Sequence, residues 1–175
     1  MKILIMSDIH GDFESMYKVI KQESFDKLII LGDLFSYGYK FYNLNESPIV
    51  QTLQRYKEKL ILIKGNCDYY IDYDALGLYA HDIFNIKFNN HVLTLTHGDK
   101  YNRGYLPDFH GDVFISGHTH IPLINKTGDI LYLNPGSIGR PRSNSTKSYL
   151  ILDDNRVMLK DVNSNIIIEE YKLSY

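Results

Sequence analysis

Five short apolar runs in this chain each stop at a polar cluster that contains a glycine, and this repeated pattern is the strongest constraint on the fold. The clusters are Ser7-Asp8-Ile9-His10-Gly11, Gly32-Asp33, Gly65-Asn66-Cys67-Asp68, Thr96-His97-Gly98 and Gly117-His118-Thr119-His120. Apolar runs that end in this way are typical of buried strands followed by tight turns. Because open α/β sheets bind their ligands at strand ends, we expect the five clusters to meet at one site.

The N-terminal part of the chain alternates between apolar runs and helical patterns. Predicted strands are Ile3–Met6, Leu28–Leu31 and Leu60–Ile63. Between them, an apolar stripe formed by Phe13, Met16, Tyr17 and Ile20 predicts a helix with Asp12 as its N-cap. Ser47-Pro48 predicts the start of a second helix that continues to Lys57. This β-α-β-α-β order predicts a parallel sheet with crossover helices.

The C-terminal part of the chain consists mostly of predicted strands separated by short turns. These strands are Phe84–Phe88, Val92–Thr96, Asp112–Ser116, Ile121–Asn125, Ile130–Leu133, Tyr149–Leu152, Val157–Val162 and Ile166–Tyr171. Turns such as Asn89-Asn90-His91 and Thr127-Gly128-Asp129 leave no room for a helix and indicate antiparallel hairpins. We therefore expect two sheets packed face to face with helices outside, in a single domain over residues 1–175.

Composition excludes several classes of partner. The chain of 175 residues is 44% hydrophobic and 23% charged, as in an ordinary globular protein. Its net charge of -2 provides no general attraction to nucleic acid or to an anionic membrane, so we expect neither as a stable partner. The single cysteine, Cys67, excludes an internal disulfide and favours a cytoplasmic location. The first apolar run ends at Asp8 and is too short for a signal segment or a membrane span.

Seven polar side chains at the predicted strand ends form a candidate metal site. They are Asp8, His10, Asp33, Asn66, His97, His118 and His120. Nitrogen and oxygen donors without a thiolate suit Mn, Fe or Zn better than a structural zinc site rich in cysteine. If one carboxylate bridges, the seven ligands form two sites of four, with the ions about 3.5–4 Å apart. Two divalent ions would exceed the charge of the carboxylates, so the centre would attract a phosphate.

The order of these motifs carries a family resemblance. Asp8-x-His10, Gly32-Asp33, Gly65-Asn66-x-Asp68, His97 and Gly117-His118-x-His120 together resemble the calcineurin-like metallophosphoesterase superfamily. Asn134-Pro135-Gly136-Ser137 is similar to the small YfcE-type phosphodiesterase branch of that superfamily. The resemblance implies a four-layer α/β/β/α sandwich of two mixed β-sheets flanked by helices. It also implies one metal held by Asp8, His10, Asp33 and His120, and another held by Asp33, Asn66, His97 and His118.

The resemblance further implies a metal-dependent phosphoesterase, and we expect a phosphodiesterase that uses a hydroxide bridging two divalent ions. We expect Mn²⁺, with Fe, Zn or Ni as alternatives. The expected substrate is a small-molecule phosphoester, and the candidate catalytic residues are Asn66, Cys67 and Asp68. Two alternatives stay open: a phosphomonoesterase or nucleotidase at the same centre, and a non-catalytic scaffold with this fold.

Cys67 departs from many relatives, which place at this position a histidine thought to protonate the leaving group. Cysteine also occurs here in the small phosphodiesterase branch. A thiol is a poor substitute for an imidazolium acid, so the residue bears on which esters are hydrolysed. A small buried apolar residue is an equally acceptable interpretation of Cys67.

Two further groups of residues have a weaker connection to the site. Eight of the 15 tyrosines follow the proposed ligands: Tyr37, Tyr39, Tyr42, Tyr69, Tyr70, Tyr73, Tyr101 and Tyr105. We expect them to rim the site, and we favour loop packing or a homo-oligomer interface over stacking on a substrate. Arg140 and Arg142 could reach a phosphate, although a solvated basic loop is the simpler interpretation. His81, His91 and His110 lack the strand-end context and are interpreted as surface or loop residues.

Overall fold

Two β-sheets form the centre of the computed structural model, which describes residues 1–35, 47–74 and 76–174. The strands are β1 (Ile3–Met6), β2 (Lys27–Ile30), β3 (Leu60–Leu62), β4 (Ile83–Phe88), β5 (His91–Thr96), β6 (Val113–Ser116), β7 (Leu123–Thr127), β8 (Ile130–Asn134), β9 (Ser148–Asp153), β10 (Arg156–Asp161) and β11 (Ile167–Lys172). The first sheet has the order β11-β10-β9-β1-β2-β3, and the second has the order β4-β5-β6-β8-β7.

The N-terminal strands pair in parallel, as predicted. Helix α1 (Phe13–Gln22) follows β1, and the Asp12 carboxylate accepts a hydrogen bond from the Ser15 amide at 3.1 Å, which confirms the N-cap. Helix α2 (Pro48–Gln54) ends before the predicted Lys57 because its last turn tightens and a 3₁₀ helix, Lys57–Lys59, follows. The short helix α3 (Tyr70–Asp74) has no apolar stripe long enough to predict it.

The last three strands join the first sheet rather than the second. Strand β9 pairs antiparallel with β1, so that Leu150 lies opposite Ile5, and β10 and β11 extend this edge. The two sheets are therefore built from interleaved segments instead of consecutive halves. Parallel pairing of β5 with β6 and of β6 with β8 also corrects the expectation of hairpins throughout. Strand patterns reveal that a segment is extended, but they do not identify its neighbour.

Two apolar layers result from the alternation of side chains along the strands. Ile5 and Leu150 point into the layer between the sheets, where they meet Leu95 of the second sheet. Leu4 points the other way and packs with Met16 of α1 in the layer beneath the helices. The helices of the described ranges contribute to this second layer, and none of them is long and apolar enough to cross a membrane.

The fourth layer, outside the second sheet, is irregular rather than helical in the part of the chain that the structure describes. The segment 97–112 connects β5 to β6 there, and its Arg103 guanidinium carbon lies 5.5 Å from the centre of the Tyr132 ring. Gly98, Gly104, Pro107 and Gly111 interrupt this segment and disfavour a helix. The predicted sandwich of two mixed sheets is thus confirmed, with its helices on the side of the first sheet.

Replacing Leu150 by alanine should lower the free energy of unfolding by about 2–5 kcal/mol, because the side chain is fully buried between the sheets. The matched control is Ile168→Ala on the edge strand β11, where the side chain is 49% exposed and the change should stay within about 0.5 kcal/mol. Urea denaturation followed by circular dichroism measures both. Equal effects of the two substitutions would contradict the placement of β9 in the core.

Candidate metal centre

The seven predicted ligands come from the turns that follow β1, β2, β3, β5 and β6. Six of the side chains predicted to act at the site line one cavity of about 160 Å³: His10, Asp33, Asn66, Cys67, His118 and His120. The two remaining ligands adjoin this wall. Asp8 Oδ1 lies 3.2 Å from His120 Nε2, and His97 Nε2 lies 3.0 Å from Asn66 Oδ1. The fold therefore brings the separate strand ends to one place.

The first proposed ligand set is compact. His10 Nε2 lies 3.2 Å from His120 Nε2 and 3.7 Å from Asp33 Oδ2. One ligand atom from each member of the set lies within 4.8 Å of the others, the members being Asp8, His10, Asp33 and His120. Two imidazole nitrogens and two carboxylates thus converge on a common point.

The donor atoms of this set fit a divalent cation. Asp8 Oδ1 is buried and has no hydrogen-bond partner among the described residues, although it faces His120. His120 Nδ1 lies 2.6 Å from the Arg140 carbonyl oxygen, which can only accept, so in the neutral ring Nε2 carries a free lone pair. His97 Nδ1 makes the same contact with the Leu31 carbonyl oxygen at 2.6 Å. Both imidazoles are therefore oriented to coordinate through Nε2.

The Asp33 carboxylate lies between the two proposed ligand sets. Its Oδ2 atom faces His10, whereas its Oδ1 atom lies 3.6 Å from His97 Nε2. The His118 ring stands beside the His97 ring with their centres 5.1 Å apart, which places it on the same side as Asn66. One carboxylate with an oxygen directed at each set is the geometry expected of a bridging ligand.

The pKa values of three proposed ligands are shifted in the direction that favours metal binding. The pKa of His120 is raised instead, because burial, which would lower it, is outweighed by the Asp8 carboxylate and the Arg140 carbonyl together. Burial lowers the pKa of His10, an effect that the Asp33 charge only partly opposes, and burial together with His97 lowers the pKa of His118. Burial would raise the pKa of Asp8, but the His120 and His97 imidazoles and the Ser7 hydroxyl together outweigh burial, and the pKa is lowered. Imidazoles that are neutral and carboxylates that are ionised are the forms that bind metals.

Five of the proposed ligands adopt a left-handed backbone conformation, which side chains other than glycine rarely take. Their φ angles are 52° for Asp8, 47° for His10, 52° for Asp33, 65° for His118 and 62° for His120. Such strain costs about 1–3 kcal/mol per residue and persists only where the surroundings enforce it. Here the His10 amide donates to the Asp33 carbonyl at 2.9 Å, and the His118 amide donates to Asp8 Oδ2 at 3.0 Å. Hydrogen bonds between the turns that follow β1, β2 and β6 therefore hold these backbone conformations in place.

Two glycines allow these turns to approach closely. A Cβ atom on Gly65 would lie 2.2 Å from Asp33 Oδ1, and one on Gly117 would lie 1.9 Å from Ser7 Oγ. Both positions therefore require glycine, which agrees with the expectation that the glycines beside the ligands permit a crowded site.

Asp68, predicted as catalytic, instead holds two turns together. Its carboxylate accepts hydrogen bonds from the backbone amides of Asp33 at 2.7 Å, Leu34 at 2.8 Å and Gly65 at 2.9 Å, and from the Tyr73 hydroxyl. The side chain is buried and does not line the cavity of the metal centre. These contacts fix the backbone on both sides of the Asp33 turn and favour a positioning role for Asp68.

Cys67 stands at the cavity wall rather than in the core. Its backbone amide donates to Asp33 Oδ1 at 2.9 Å, and the Asn66 side-chain amide donates to its Sγ atom at 3.3 Å. Burial, followed by the negative charge of Asp33, raises the pKa of the thiol to about 12. The side chain is half-buried, so the interpretation of Cys67 as a small core residue does not hold.

Arg140 and Arg142 line the same cavity, although the sequence favoured a solvated loop for them. Arg142 is anchored by its amide, which donates to the His120 carbonyl at 3.2 Å, and the Arg140 amide donates to Ser137 Oγ at 2.8 Å. Both side chains are exposed to solvent at the cavity mouth. They provide positive charge where a phosphate would enter.

The Asn134-Pro135-Gly136-Ser137 motif is the sequence feature from which the position of these arginines beside the metal centre could have been predicted. Asn134 Nδ2 donates to the Gly117 carbonyl at 2.8 Å, and Ser137 Oγ donates to the Asp8 carbonyl at 2.8 Å. The motif therefore connects the turn after β6 to the turn after β1. Residues that follow such an anchor necessarily lie beside the metal ligands.

The described tyrosine side chains do not line the cavity of the metal centre. Tyr37, Tyr39, Tyr42 and the side chain of Tyr70 lie outside the described parts of the structure. Tyr69 is exposed, Tyr73 is buried against Asp68, and Tyr101 stacks on Tyr105 with ring centres 5.7 Å apart. These four described side chains are absent from the cavity lining, as are His81, His91 and His110.

Replacing Asp68 by asparagine should lower the free energy of unfolding by about 2–3 kcal/mol, because one amide oxygen cannot accept all the bonds of the carboxylate. Binding of Mn²⁺ should weaken as well, since Asp33 loses its support. Denaturation and calorimetric titration measure the two effects, and Asp74→Asn on the exposed side of α3 is the matched control. Unchanged stability and Mn²⁺ affinity in Asp68→Asn would contradict the positioning role.

Comparison with known proteins gives concordant matches over most of the chain. The family model of the calcineurin-like phosphoesterase superfamily domain matches residues 1–156. "Phosphodiesterase YfcE" of Escherichia coli (strain K12) is 29% identical over 186 residues, with 99% of each chain covered. The solved structure of this phosphoesterase has a TM-score of 0.88 and covers 99% of this chain and 100% of its own.

Two further relatives extend the comparison. "Probable metallophosphoesterase YsnB" of Bacillus subtilis (strain 168) is 32% identical over 159 residues, covering 87% of this chain and 83% of the relative. Vps29 of Entamoeba histolytica, solved in complex with Zn²⁺, has a TM-score of 0.64 at 19% identity, covers 98% of this chain and 99% of its own, and shares the fold alone. The extent of the family match, together with the convergence of Asp8, His10, Asp33 and His120, shows that the chain belongs to the calcineurin-like phosphoesterase superfamily.

Proposed function

We propose that this chain is a metal-dependent phosphodiesterase that hydrolyses small phosphodiesters at the cavity of the metal centre. The observation that carries the proposal is the orientation of Asp33, with one carboxylate oxygen toward His10 and the other toward His97. A shared carboxylate of this kind places two ions close enough to act on one phosphate. The relatives named as phosphodiesterase and metallophosphoesterase support the same class of reaction.

The proposed ligands of the first ion are Asp8, His10, Asp33 and His120, and those of the second are Asp33, Asn66, His97 and His118. When bound, two divalent ions would activate a water molecule and polarise the phosphoryl group. We propose Mn²⁺ as the native metal, because the donors are imidazole, carboxylate and amide without a thiolate; Fe, Zn and Ni are the alternatives.

The protein's own residues orient the ester. Asp33 is fixed by the amide of Cys67 and, through its backbone, by Asp68. Arg140 and Arg142 bring positive charge to the cavity mouth and would bind the non-bridging phosphoryl oxygens. No side chain is required as a nucleophile, so water can attack the phosphorus directly in line with the leaving oxygen.

A small substrate in the cytoplasm is the proposed setting. The cavity of about 160 Å³ is of a size that suits a small phosphoester. The net charge of -2 gives no general affinity for nucleic acid, and the single cysteine suits a reducing compartment.

The unaltered protein with Mn²⁺ should hydrolyse bis(p-nitrophenyl) phosphate faster than p-nitrophenyl phosphate, and Asp33→Ala should abolish this activity. Asp33 serves both ligand sets, so its loss should leave fewer than one ion per chain, whereas His10→Ala removes a ligand from one set only. Elemental analysis of the purified variants counts the ions. Asp129→Ala, at an exposed turn, is the control.

Three results would overturn the proposal in different ways. Two ions and near-normal turnover in Asp33→Ala would exclude a bridging role. Faster hydrolysis of the monoester by the unaltered protein would favour a phosphomonoesterase. A protein that binds metal and hydrolyses neither ester would favour a scaffold.

Turnover should fall steeply as the leaving group becomes more basic, because cysteine stands where many relatives have an imidazole acid. Cys67→Ala should change hydrolysis of an aryl diester little, since a phenolate of low pKa departs without protonation. Cys67→His should accelerate esters with poor leaving groups, toward the roughly 10²-fold typical of a positioned acid. Esters of graded leaving-group pKa, assayed with all three forms, measure this. A flat dependence in the unaltered protein would show that another group already acts as the acid.

A further inference from the structure

A second cavity, of about 440 Å³, lies beside the metal centre. One wall is the irregular segment 97–112, represented by Asn102 and Arg103, and the other is the outer face of the second sheet, represented by Leu123 and Tyr132. His118 belongs to the walls of both this cavity and the smaller cavity of the metal centre. The two spaces therefore adjoin at His118.

The lining of the second cavity differs in chemistry from that of the first. The second sheet contributes the Leu123 and Tyr132 side chains, and the turn after β6 adds Ile121. The smaller cavity, in contrast, is lined by imidazole, carboxylate, amide, thiol and guanidinium groups. A phosphate suits the smaller cavity, and an apolar organic group finds matching surface in the larger one.

The Arg103 guanidinium group in the wall of the second cavity favours binding of a planar ring. Its guanidinium carbon lies 5.5 Å from the centre of the Tyr132 ring, and its Nη2 atom donates to Thr127 Oγ1 at 3.2 Å, which keeps it there. Guanidinium groups and aromatic rings both stack on flat partners. Tyr132 is 8% exposed, so its ring is held by the sheet, and the residue contributes to the cavity wall.

A phosphodiester has two organic groups, of which one leaves with its oxygen and the other stays on the phosphate. We propose that the second cavity binds the retained group of the diester when that group is aromatic, while the phosphate lies in the smaller cavity, with His118 in the wall of both. This inference rests on the proposed phosphodiesterase function. In the reaction, water forms a new bond to phosphorus, the bond from phosphorus to the leaving oxygen breaks, and the leaving group takes the electron pair of that bond. The proton that water loses goes to solvent when the leaving group is p-nitrophenolate, and to the leaving oxygen when that oxygen is more basic. The product is the monoester of the retained group.

The size of the cavity agrees with this occupant. Small-molecule sites usually have volumes of about 300–1,000 Å³, and the second cavity falls in the lower part of that range. The inference also explains a preference for diesters, because a monoester has no retained group to fill the space next to His118.

Two esters with the same leaving group test the inference: phenyl p-nitrophenyl phosphate and methyl p-nitrophenyl phosphate. Because p-nitrophenolate leaves from both, a difference in KM reports the retained group. With Mn²⁺, we expect the phenyl ester to have a KM lower by about tenfold, as for a ring that gains an apolar and stacked environment. Arg103→Ala should raise the ratio of phenyl KM to methyl KM by about three- to tenfold.

Three variants sharpen the result. Leu123→Trp fills the cavity and should remove the preference for the phenyl ester. Arg103→Lys keeps the charge without the planar group, and should recover only part of the preference. Arg156→Ala, which removes an exposed arginine from β10, should leave the ratio of KM values unchanged. Circular dichroism establishes whether each variant is folded. If Leu123→Trp does not fold, Arg103→Ala still tests the inference, because Arg103 is exposed.

The outcomes separate this inference from the function on which it rests. Equal KM values for the two esters in the unaltered protein, or an unchanged ratio in Arg103→Ala, would overturn the inference while the phosphodiesterase function stands. Failure of the metal-loaded protein to hydrolyse either ester would overturn the proposed function and this inference with it.

Discussion

The position of the Asp33 carboxylate is the constraint on which the rest of the site depends. Its two oxygens face His10 and His97, which belong to strands of different sheets. Two features hold it there. The Asp68 carboxylate accepts a hydrogen bond from the Asp33 amide, and Gly65 has no Cβ atom that would displace the Asp33 side chain. Neither feature contacts a substrate. Asp68 and Gly65 therefore support the site by positioning Asp33.

Such a site is costly to form, and the sandwich around it supplies the stability. Carboxylates buried in the interior and five ligands in left-handed conformations are each unfavourable. Two apolar layers, one between the sheets and one beneath the helices, offset these terms. Divalent cations would relieve the cost further, because they provide the partner that Asp8 Oδ1 lacks among the described residues.

Local features of this protein were predictable from the sequence, whereas long-range pairings were not. The Asp12 cap and the apolar strand β1 are determined by neighbouring residues, and the Asp-x-His and His-x-His clusters identified the strand ends that converge. The pairing of Leu150 with Ile5 depends on tertiary contacts that no local pattern encodes. The same limit applies to the hydrogen bonds of Asp68, because its three amide donors belong to two separate turns that no local pattern brings together.

Anomalous diffraction from crystals grown with Mn²⁺ tests the two-metal account most directly. The account predicts two peaks about 3.5–4 Å apart. One should lie among Asp8, His10 and His120, the other beside Asn66, His97 and His118, with an oxygen of Asp33 directed at each. A single peak, or two peaks that Asp33 does not join, would contradict it.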